Sequence, residues 1–505
     1  MPNAHLALIH RPGKNQLLHL RTKSMTFKQN RAIVIGGGIT GLAAGYRLLR
    51  EADNRNIPLT LTLLEARNRV GGVIQTEQRE GFIIEHGPDA FISTKPWAKA
   101  LSEELGLTEK FIGTNPKVRQ SFVVRKGRLL PVPEGFYMMA PGSFLPFIKS
   151  PIFSLAGKLR IALDLFISSR SDMTDESVAD FVRRRLGKEA FERMAQPMIG
   201  GIYTSDAENL SLKATFPRFI EMEREHGSII KALIAQKRKS SQTSRDTSGP
   251  RYSLFLSFRD GMQTLVDTLA ENLSKNIHLQ SHVKHVKQKQ SNIKHDWCWQ
   301  VHLDNGEMLE AEILCIALPA PKASILLSDV LPQLSDKLNT ISYSSSATVN
   351  LAFRREDISH PLNGMGFVVP ITEQRNLIGC SFSSVKFENR APSDYVLLRA
   401  FVGENTYYIK GKDKPDSDEL TSILHKDLSE LLGISAEPIF SVISQHTQAM
   451  AQYQVEHQKR VREIDKLAKE LPGLALTGNA YHGIGIPDCI HSSEQAAMRL
   501  LDAIS

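Results

Sequence analysis

Hydrophobic positions near the start of the chain change their spacing in a way that alternates strand with helix. Ala32–Ile35 is a short apolar run that ends in glycines, which is typical of a buried parallel strand. Apolar residues recur at helical spacing over residues 39–49, and residues 59–64 (LTLTLL) have the character of a second strand. The pattern therefore predicts a strand–helix–strand unit whose first turn contains Gly36, Gly38 and Gly41.

The middle of the chain predicts a helical insertion followed by a polar connection. Residues 135–148 (GFYMMAPGSFLPFI) carry no charge, whereas the segments after them combine helical periodicity with many charges. We expect a helical unit over residues 119–226 with one apolar lip that contacts a membrane surface. Residues 236–251 are polar and low in complexity, so residues 227–250 are predicted to form a mobile loop.

Signals for β-structure dominate beyond this loop. Residues 299–303 and 308–318 flank an Asp-Asn-Gly turn, which predicts a hairpin. Alternating runs at residues 348–353 and 366–369 add further strands. This pattern predicts a second, sheet-rich domain.

The chain ends in a strand, a glycine-rich turn and a helix that we expect to begin near Ser492. The expected fold class is α/β, a two-dinucleotide-binding, Rossmann-type domain with a sheet-rich substrate domain and the helical insertion. Besides the units above, the expected boundaries are 1–30 for a disordered or mis-assigned extension, 31–113 with 251–318 and 440–505 for the dinucleotide-binding domain, and 319–439 for the substrate domain.

Composition narrows the class of protein. The hydrophobic fraction of 41% and the charged fraction of 23% are those of an ordinary globular protein. No run reaches the roughly 18 apolar residues that span a bilayer, so we expect a cytoplasmic protein, at most peripheral at the inner face of the cell membrane. The four cysteines show no metal-ligand or disulfide spacing, which argues against both kinds of site. No metal and no nucleic-acid partner are expected.

The glycine turn has the context of a dinucleotide site. Gly36 permits the tight turn, Gly38 lets the backbone approach a pyrophosphate, and Gly41 lets the helix pack on the strand. The pyrophosphate would lie at the helix N-terminus, where free N–H groups favour an anion. Glu65, which ends the second strand, suits the ribose hydroxyls. The predicted contacts are Gly36, Gly37, Gly38, Ile39, Thr40, Gly41, Glu65 and Ala66.

An arginine and paired glycines follow Glu65 directly, in the run ARNRVGGV. Arg69 with Gly72 and Val73 brings a cation and bare backbone to the pyrophosphate. A nicotinamide enzyme has no evident need for this second element. The motif therefore favours FAD as the dinucleotide.

Several longer runs resemble the protoporphyrinogen and coproporphyrinogen oxidases of haem biosynthesis, which are relatives of the monoamine oxidases and phytoene desaturases. The opening runs are VIGGGITGLAAGYRL, LLEARNRVGGVIQT and GFIIEHGPDAF. The more particular runs are QPMIGGIYTSDAENLSLKATFP and LTGNAYHGIGIPDCI. The resemblance covers nearly everything from Arg31 to the C-terminus.

The resemblance implies further contacts with a non-covalently bound FAD. Val283 would contribute backbone contacts near the adenine, and His446 stands where many relatives have a tryptophan near the flavin. The start of the last helix would stabilise a reduced, anionic flavin. The segments beside the flavin and under its pyrimidine edge would be Gly87, Pro88, Asp89 and Ala90, and Ile484, Gly485 and Ile486.

The resemblance also implies residues that bind the substrate. Arg125 matches a family position where an arginine meets a substrate propionate. Gly201 would offer a wall without a side chain to the tetrapyrrole, and Val368 and Phe382 lie in strands expected to face the same cavity. Asp89 departs from the arginine that some relatives carry at its position.

The implied reaction is hydride transfer from a bridging carbon of the porphyrinogen to flavin N5, repeated three times, with dioxygen reoxidising FAD and releasing H2O2. Such chemistry needs positioning and a dry cavity more than a strong base. No catalytic residue is assigned, and His446 and His482 are the candidates if a base exists. The implied partners are a porphyrinogen, dioxygen, the next haem-pathway enzyme as recipient of the product, and a second copy in a homodimer.

Three alternatives remain open from the residues. A flavin amine oxidase often attaches FAD to a C-terminal cysteine, whereas Cys489 follows the glycine turn as it does in the porphyrinogen oxidases. A carotenoid desaturase would accept a polyene without needing Arg125. An inactive FAD-binding scaffold would bind the cofactor without turnover. The choice between protoporphyrinogen IX and coproporphyrinogen III also stays open.

Overall fold

The computed structural model describes residues 29–134, 136–137, 140–141, 143–172, 174–203, 207–240, 253–290, 297–403 and 416–505. The expected N-terminal extension and the second half of the expected polar loop therefore lie outside the described residues. Within the described residues no helix is both long enough and apolar enough to cross a membrane.

The helices and strands are numbered in chain order. The helices are α1 Ile39–Asn54, α2 Trp97–Glu104, α3 Phe144–Lys149, α4 Leu155–Ala162, α5 Val178–Leu186, α6 Lys188–Ala190, α7 Gln196–Tyr203, α8 Leu212–Thr215, α9 Pro217–His226, α10 Ile229–Ser240, α11 Gln263–Asn272, α12 Ala320–Leu327, α13 Pro332–Asn339, α14 Ser383–Lys386, α15 Ser417–Leu432, α16 His457–Ala468 and α17 Ile486–Asp502. The strands are β1 Asn30–Ile35, β2 Leu59–Leu64, β3 Thr76–Arg79, β4 Phe82–Glu85, β5 Phe91–Ile92, β6 Phe111–Gly113, β7 Phe122–Arg125, β8 Arg128–Pro131, β9 Phe136–Tyr137, β10 Ala140–Pro141, β11 Phe255–Phe258, β12 Ile277–His278, β13 Val283–Gln290, β14 Trp297–Leu303, β15 Met308–Ala311, β16 Ile313–Ile316, β17 Tyr343–Arg354, β18 Gly366–Val368, β19 Gly379–Phe382, β20 Tyr395–Gly403, β21 Phe440–Ala451 and β22 Leu474–Leu476.

A five-stranded parallel sheet, in the order β12-β2-β1-β16-β22, carries the predicted strand–helix–strand unit. Helices α1, α11 and α17 cover it and share an apolar core with its inward side chains. The α/β class predicted from the sequence is confirmed. The hairpin predicted across the Asp-Asn-Gly turn is confirmed as β14 and β15. Its second run, 308–318, is not one strand, because it divides between β15 and the parallel strand β16. Helix α17 begins at Ile486 instead of near Ser492, because Pro487 already occupies its first turn.

The second large sheet has seven strands, in the order β21-β17-β20-β19-β18-β7-β8. One face packs on α15 through a continuous apolar core. The sheet takes β7 and β8 from the segment assigned to the helical unit, and β21 from the segment assigned to the dinucleotide domain. Strand pairing between such distant segments is not visible in local periodicity.

Helices α3 to α10 form the helical unit around a buried ion pair. Arg185 Nε donates to Asp164 Oδ1 at 2.6 Å, and both side chains are 0% exposed. Asp164 also accepts the backbone N–H of Ile230 at 3.0 Å, at the start of α10. This long-range contact caps the start of α10, which runs to Ser240 and includes the first part of the expected polar loop.

Candidate active site

The glycine turn between β1 and α1 leaves no room for a side chain at two of its glycines. A Cβ atom on Gly41 would lie 1.8 Å from the Gly36 carbonyl oxygen, and one on Gly36 would lie 2.7 Å from that of Ala317. At Gly38 the nearest atom to a Cβ would be the Cα of Gly72, at 4.0 Å. Packing therefore requires glycine at the two closed positions, whereas Gly38 borders open space.

Helix α1 begins beside this open space. Its N-cap, Gly38, offers no side-chain hydrogen bond, and its first turn holds no acidic residue. The free N–H groups and the helix dipole at this end favour a bound anion. The turn therefore fits the pyrophosphate of a dinucleotide.

Glu65 is fixed at the carboxyl end of β2, next to the turn. Its Oε2 accepts the N–H of Gly37 at 2.6 Å, and its Oε1 accepts the N–H of Arg67 at 2.9 Å. The N–H of Ser281 donates to the Glu65 carbonyl at 2.9 Å, which brings the start of β13 at Val283 close to the same acid. The carboxylate thus has the position expected for a group that binds the adenosine ribose.

Arg69 holds the loop after β2 against the glycine turn, and we call this loop, residues 66–74, the arginine loop. Its Nη2 donates to the Gly72 carbonyl at 2.8 Å, and its Nη1 donates to that of Ile74 at 3.2 Å. A Cβ on Gly72 would lie 3.2 Å from the Gly38 Cα, so the two glycines allow backbone to meet backbone. The cation therefore shapes the rim of the anion site through carbonyl groups.

The loop 87–90 continues this surface. A Cβ on Gly87 would lie 1.9 Å from the carbonyl oxygen of Val73, so this loop packs directly on the arginine loop. Asp89 Oδ2 accepts Lys386 Nζ at 2.9 Å. Burial pushes the pKa of Asp89 upward, but the charges of Lys386 and Arg399 outweigh it and hold the pKa below its ordinary value. The Asp89 charge is therefore balanced inside the protein.

The C-terminal glycine turn approaches the first glycine turn. A Cβ on Gly478 would lie 4.0 Å from Thr40 Oγ1. The Gly483 N–H donates to the Tyr453 hydroxyl at 2.8 Å, and α17 begins immediately after its N-cap, Gly485. The predicted residues that gather along these four segments are Gly36, Gly37, Gly38, Ile39, Thr40, Gly41, Glu65, Ala66, Arg69, Gly72, Val73, Gly87, Pro88, Asp89, Ala90, Ile484, Gly485 and Ile486.

His446 and His482, the candidate bases named from the sequence, and Cys489 are not arranged as strong bases. His446 Nε2 lies 2.9 Å from the His86 carbonyl oxygen, and burial lowers its pKa, which keeps the ring neutral. His482 is 53% exposed and lies 3.6 Å from Asp465 on the surface. Burial raises the pKa of Cys489 to about 12, so it stays a thiol. Among the described residues no group of three His, Cys, Asp or Glu side chains could hold a metal.

One face of the seven-stranded sheet is turned towards these loops. The Arg399 guanidinium on this face donates to the Gly87 carbonyl. The neighbouring row across the sheet consists of Thr348, Phe401, Gly379 and Val368. We call this surface the site face. Val368, a predicted substrate residue, lies at the end of this row, two strands from the strand of Arg399.

Phe382 does not lie on the site face, so that prediction was wrong. Phe382 pairs with Leu398 across β19 and β20, and both side chains are 0% exposed in the core against α15. Successive side chains of a strand point to opposite faces. Phe382 is therefore on the face opposite Val368, and its aromatic character misled the assignment.

Arg125 and Gly201 reach the same region from two other elements. A Cβ on Gly201, in α7, would lie 3.6 Å from Val368 Cγ1. In β7 the side chains of Phe122 and Val124 enter the core against α15, so Arg125 points to the site face. The Arg125 side chain has no hydrogen-bond or ion-pair partner among the described residues, and it is half-buried.

The sequence analysis missed Arg399, the buried cation of the site face. Arg399 is 4% exposed, and its guanidinium lies over the Phe401 ring at 5.1 Å. The available signal was a charge inside the apolar strand YVLLRAFV. A cation within a buried strand requires a special environment.

Comparisons with known proteins agree with this geometry. A family model described as flavin containing amine oxidoreductase matches residues 39–501. The coproporphyrinogen III oxidase of Bacillus subtilis (strain 168) is 34% identical over 478 residues, which cover 94% of this chain and 98% of that protein. Protoporphyrinogen oxidase 2 of Arabidopsis thaliana is 29% identical, over 92% of this chain and 93% of that protein.

Solved structures give the same picture. The crystal structure of a provisionally assigned protoporphyrinogen oxidase from Exiguobacterium sp. 255-15 matches with a TM-score of 0.79 and 29% identity, over 93% of this chain and 98% of that one. A putrescine oxidase matches with a TM-score of 0.65 at 18% identity, which is a likeness of fold alone. The resemblance inferred from the sequence runs is confirmed.

Proposed function

The chain belongs to the flavin-containing amine oxidoreductase family, and we propose that within it this enzyme oxidises a porphyrinogen to the porphyrin in haem biosynthesis with FAD and dioxygen. The observation that carries this proposal is the likeness to coproporphyrinogen III oxidases over nearly the whole chain. The partnerless Arg125 on the site face adds a group suited to a propionate.

The residues of this chain would bind and orient both reactants. Gly38, Gly72 and the start of α1 fit the pyrophosphate of FAD, and Glu65 fits its ribose. Bound FAD would supply two-electron oxidation of the macrocycle, needed three times per porphyrin, with dioxygen as the final acceptor and H2O2 as its product. Val368 and Gly201 form an apolar wall that positions the ring and excludes water.

We propose coproporphyrinogen III as the substrate. The relatives with at least 32% identity carry that name, whereas the plant protoporphyrinogen oxidases have 27–29%. The nearby Arg193 already pairs with Glu189 and donates to the Ile152 carbonyl at 3.0 Å, so its charge is balanced inside the protein. Coproporphyrinogen III carries propionates where protoporphyrinogen IX carries vinyl groups, so the side chain of Arg125, which has no carboxylate partner, suits the more acidic substrate.

The test is porphyrin fluorescence under air with each porphyrinogen supplied separately to the FAD-loaded protein. We expect rapid formation of coproporphyrin with three equivalents of peroxide per porphyrin, and a slower reaction with protoporphyrinogen IX. Faster oxidation of protoporphyrinogen IX would reverse the substrate assignment. No acceleration with either compound would overturn the proposed function, and turnover of an amine or a polyene would then identify the enzyme.

An apolar surface on the helical unit supports a peripheral contact with the membrane. Within the segment 135–148 expected to form the lip, Phe147 is only 3% exposed and packs on Phe153. Large apolar side chains that are more than half exposed begin in this segment and continue beyond it, and we call them the apolar rim: Leu145, Ile148, Leu155, Leu159, Leu163 and Phe166.

The charges around the apolar rim favour an anionic lipid surface as its partner. Lys158 Nζ donates to the Ile148 carbonyl at 2.6 Å, which joins the end of α3 to the first turn of α4. The single carboxylate of residues 143–171 is Asp164, which is 0% exposed, while Lys149 and Lys158 are exposed or near the surface. A segment that carries cations and exposed apolar side chains, and has no exposed acid of its own, suits anionic lipids. Glu189, which bonds Ser154 at the start of α4, is paired with Arg193.

Co-sedimentation with phosphatidylglycerol-containing vesicles tests the membrane contact. Leu159→Ser combined with Phe166→Ser should abolish binding and leave the fold intact, because both side chains are exposed. The matched control is Ile325→Ser with Ile371→Ser, which changes side chains that are 68% and 66% exposed elsewhere. Equal binding by both double variants would contradict the contact.

A homodimer and direct handover of the porphyrin to the next enzyme remain part of the proposal. Light scattering tests the homodimer.

A further inference from the structure

Cations from the substrate domain surround the buried loop that leads to Gly87. Lys386 has a side chain that is 17% exposed, and Arg390 and Arg399 are 2% and 4% exposed. The acids nearest to them are Glu85 and Asp89 on the dinucleotide side. We call these five residues the junction cluster.

Most of the junction cluster is paired within the protein. Asp89 and Lys386 form an ion pair at 2.9 Å. The Nη atoms of Arg390 donate to the carbonyls of Arg259 and Phe258 at 3.0 and 2.9 Å, and to the Ser257 hydroxyl at 2.9 Å. These two cations therefore serve the contact between the domains.

Arg399 lacks a carboxylate of its own. Its Nη2 donates to the Gly87 carbonyl, and its buried Nε has no acceptor among the described residues. The oxygens of Glu85 are occupied by the Met262 N–H and the Thr76 hydroxyl, both at 2.8 Å. Burial raises the pKa of Glu85 to about 7, so at neutral pH its charge is only partly present.

The junction cluster holds three cations and two acids, and Asp89, which pairs with Lys386, is also the nearest ionised acid that acts on Arg399. A buried excess of positive charge costs free energy, and such groups are found where an anion binds or forms. Arg399 contacts Gly87, which packs on Val73 of the arginine loop. On its other side is the row of the site face that contains Phe401 and Val368. Arg399 therefore lies between the segments that fit FAD and the surface that fits the substrate.

We propose that Arg399 stabilises the negative charge of reduced FAD and thereby raises the reduction potential of the bound flavin. This inference rests on the proposed FAD-dependent function. Reduction adds two electrons and one proton to the oxidised flavin and leaves one negative charge on it. A fixed cation in a region of low dielectric favours that state and costs no reorganisation at the moment of transfer.

The test is the reduction potential of the FAD-loaded protein, measured by spectroscopic equilibration with a redox dye. Arg399→Gln keeps a donor for the Gly87 carbonyl but removes the charge, and it should make reduction at least tenfold less favourable, about 30 mV lower for two electrons. Arg399→Lys keeps the charge and should stay within about threefold of the wild type. The control is Arg355→Gln, which removes a cation bonded to the carbonyls of Ile358 and His360.

An unchanged potential in Arg399→Gln with full FAD occupancy would show that Arg399 only joins the domains, and would overturn the inference. If that variant holds no FAD, the wild type still decides. Its reduced flavin should keep the spectrum of the anion on acidification to about pH 6, because a nearby cation opposes a second protonation. Appearance of the neutral form there would contradict the inference. Because no porphyrinogen is used, the result is separate from the test of the proposed substrate.

Discussion

The glycine turn and the site face are built in opposite ways. At the turn, Gly36, Gly41 and Glu65 come from one continuous segment, and the contacts are backbone against backbone or backbone against carboxylate. On the site face, Arg125 and Arg399 come from strands far apart in the chain, and side chains make the surface. An added atom at the turn therefore disrupts packing, whereas a change on the site face alters what is recognised.

The largest effects are expected from substitutions within the glycine turn. Gly41→Ala places a methyl group 1.8 Å from the Gly36 carbonyl oxygen, and it should yield no folded protein with FAD. Gly38→Ala meets nothing nearer than 4.0 Å and should fold, with FAD affinity reduced because the methyl group enters the space for the pyrophosphate. Thermal unfolding and the flavin-to-protein absorbance ratio distinguish the two. Equal behaviour of both variants would contradict the assignment of the open space.

The next largest effect separates the two faces of the seven-stranded sheet. Phe382→Ala empties a fully buried position and should lower the free energy of unfolding by about 3–5 kcal/mol, with the KM for the porphyrinogen unchanged. Val368→Ala removes less volume from the half-buried site face, so it should change KM more than stability. Chemical denaturation and steady-state kinetics on both variants provide the measurement. A raised KM in Phe382→Ala alone would place that ring in the site after all.

Two buried groups, one near the C-terminal turn and one near the site face, should change the stability in opposite directions as the pH falls. Burial lowers the pKa of His457, which stacks on Tyr453 near the C-terminal turn, from 6.5 to about 4. As the pH falls from 7 to 5 the unfolded chain gains a proton there that the folded chain refuses, which costs about 2 kcal/mol of stability. Glu85, with a pKa raised from 4.5 to about 7, is protonated first in the folded chain and contributes about 2 kcal/mol in the opposite sense.

Single variants should reveal each of these contributions. His457→Phe keeps an aromatic ring against Tyr453 and should make the protein gain stability on acidification relative to the wild type. Glu85→Gln should make it lose stability over the same range. Urea unfolding at both pH values measures the difference. Parallel pH profiles for the wild type and both variants would contradict the pKa shifts.

The smallest expected effect concerns recognition on the site face. Arg125→Met should raise the KM for coproporphyrinogen III about tenfold, because a charged hydrogen bond is lost, with kcat changed little. Arg128→Met, at an exposed position in the neighbouring strand, is the matched control. The discriminating readout is the ratio of KM values for coproporphyrinogen III and protoporphyrinogen IX. Equal effects of the two variants would argue against a propionate contact at Arg125.

The sequence revealed the local contacts of the glycine turn better than the long-range contacts of the site face. The turn, Glu65 and the arginine loop could be identified because their contacts join residues close in the chain and require particular residue types. The resemblance extended this to the C-terminal turn. The start of α17 was predicted too late, although Pro487 marks its first turn in the sequence. The start of α10 at Ile229 was missed because Asp164, which caps it, is distant in the chain.

The sequence by itself determined the α/β class, the dinucleotide turn and the family, since these depend on local spacing of glycines and apolar residues. Only the tertiary structure decided which side chains share the site face. Register and pleat set that face, so Phe382 turned inward while Arg399 emerged beside Gly87. A one-residue shift in any of those strands would exchange the two faces, and no local pattern fixes the pairing of strands that are distant in the chain.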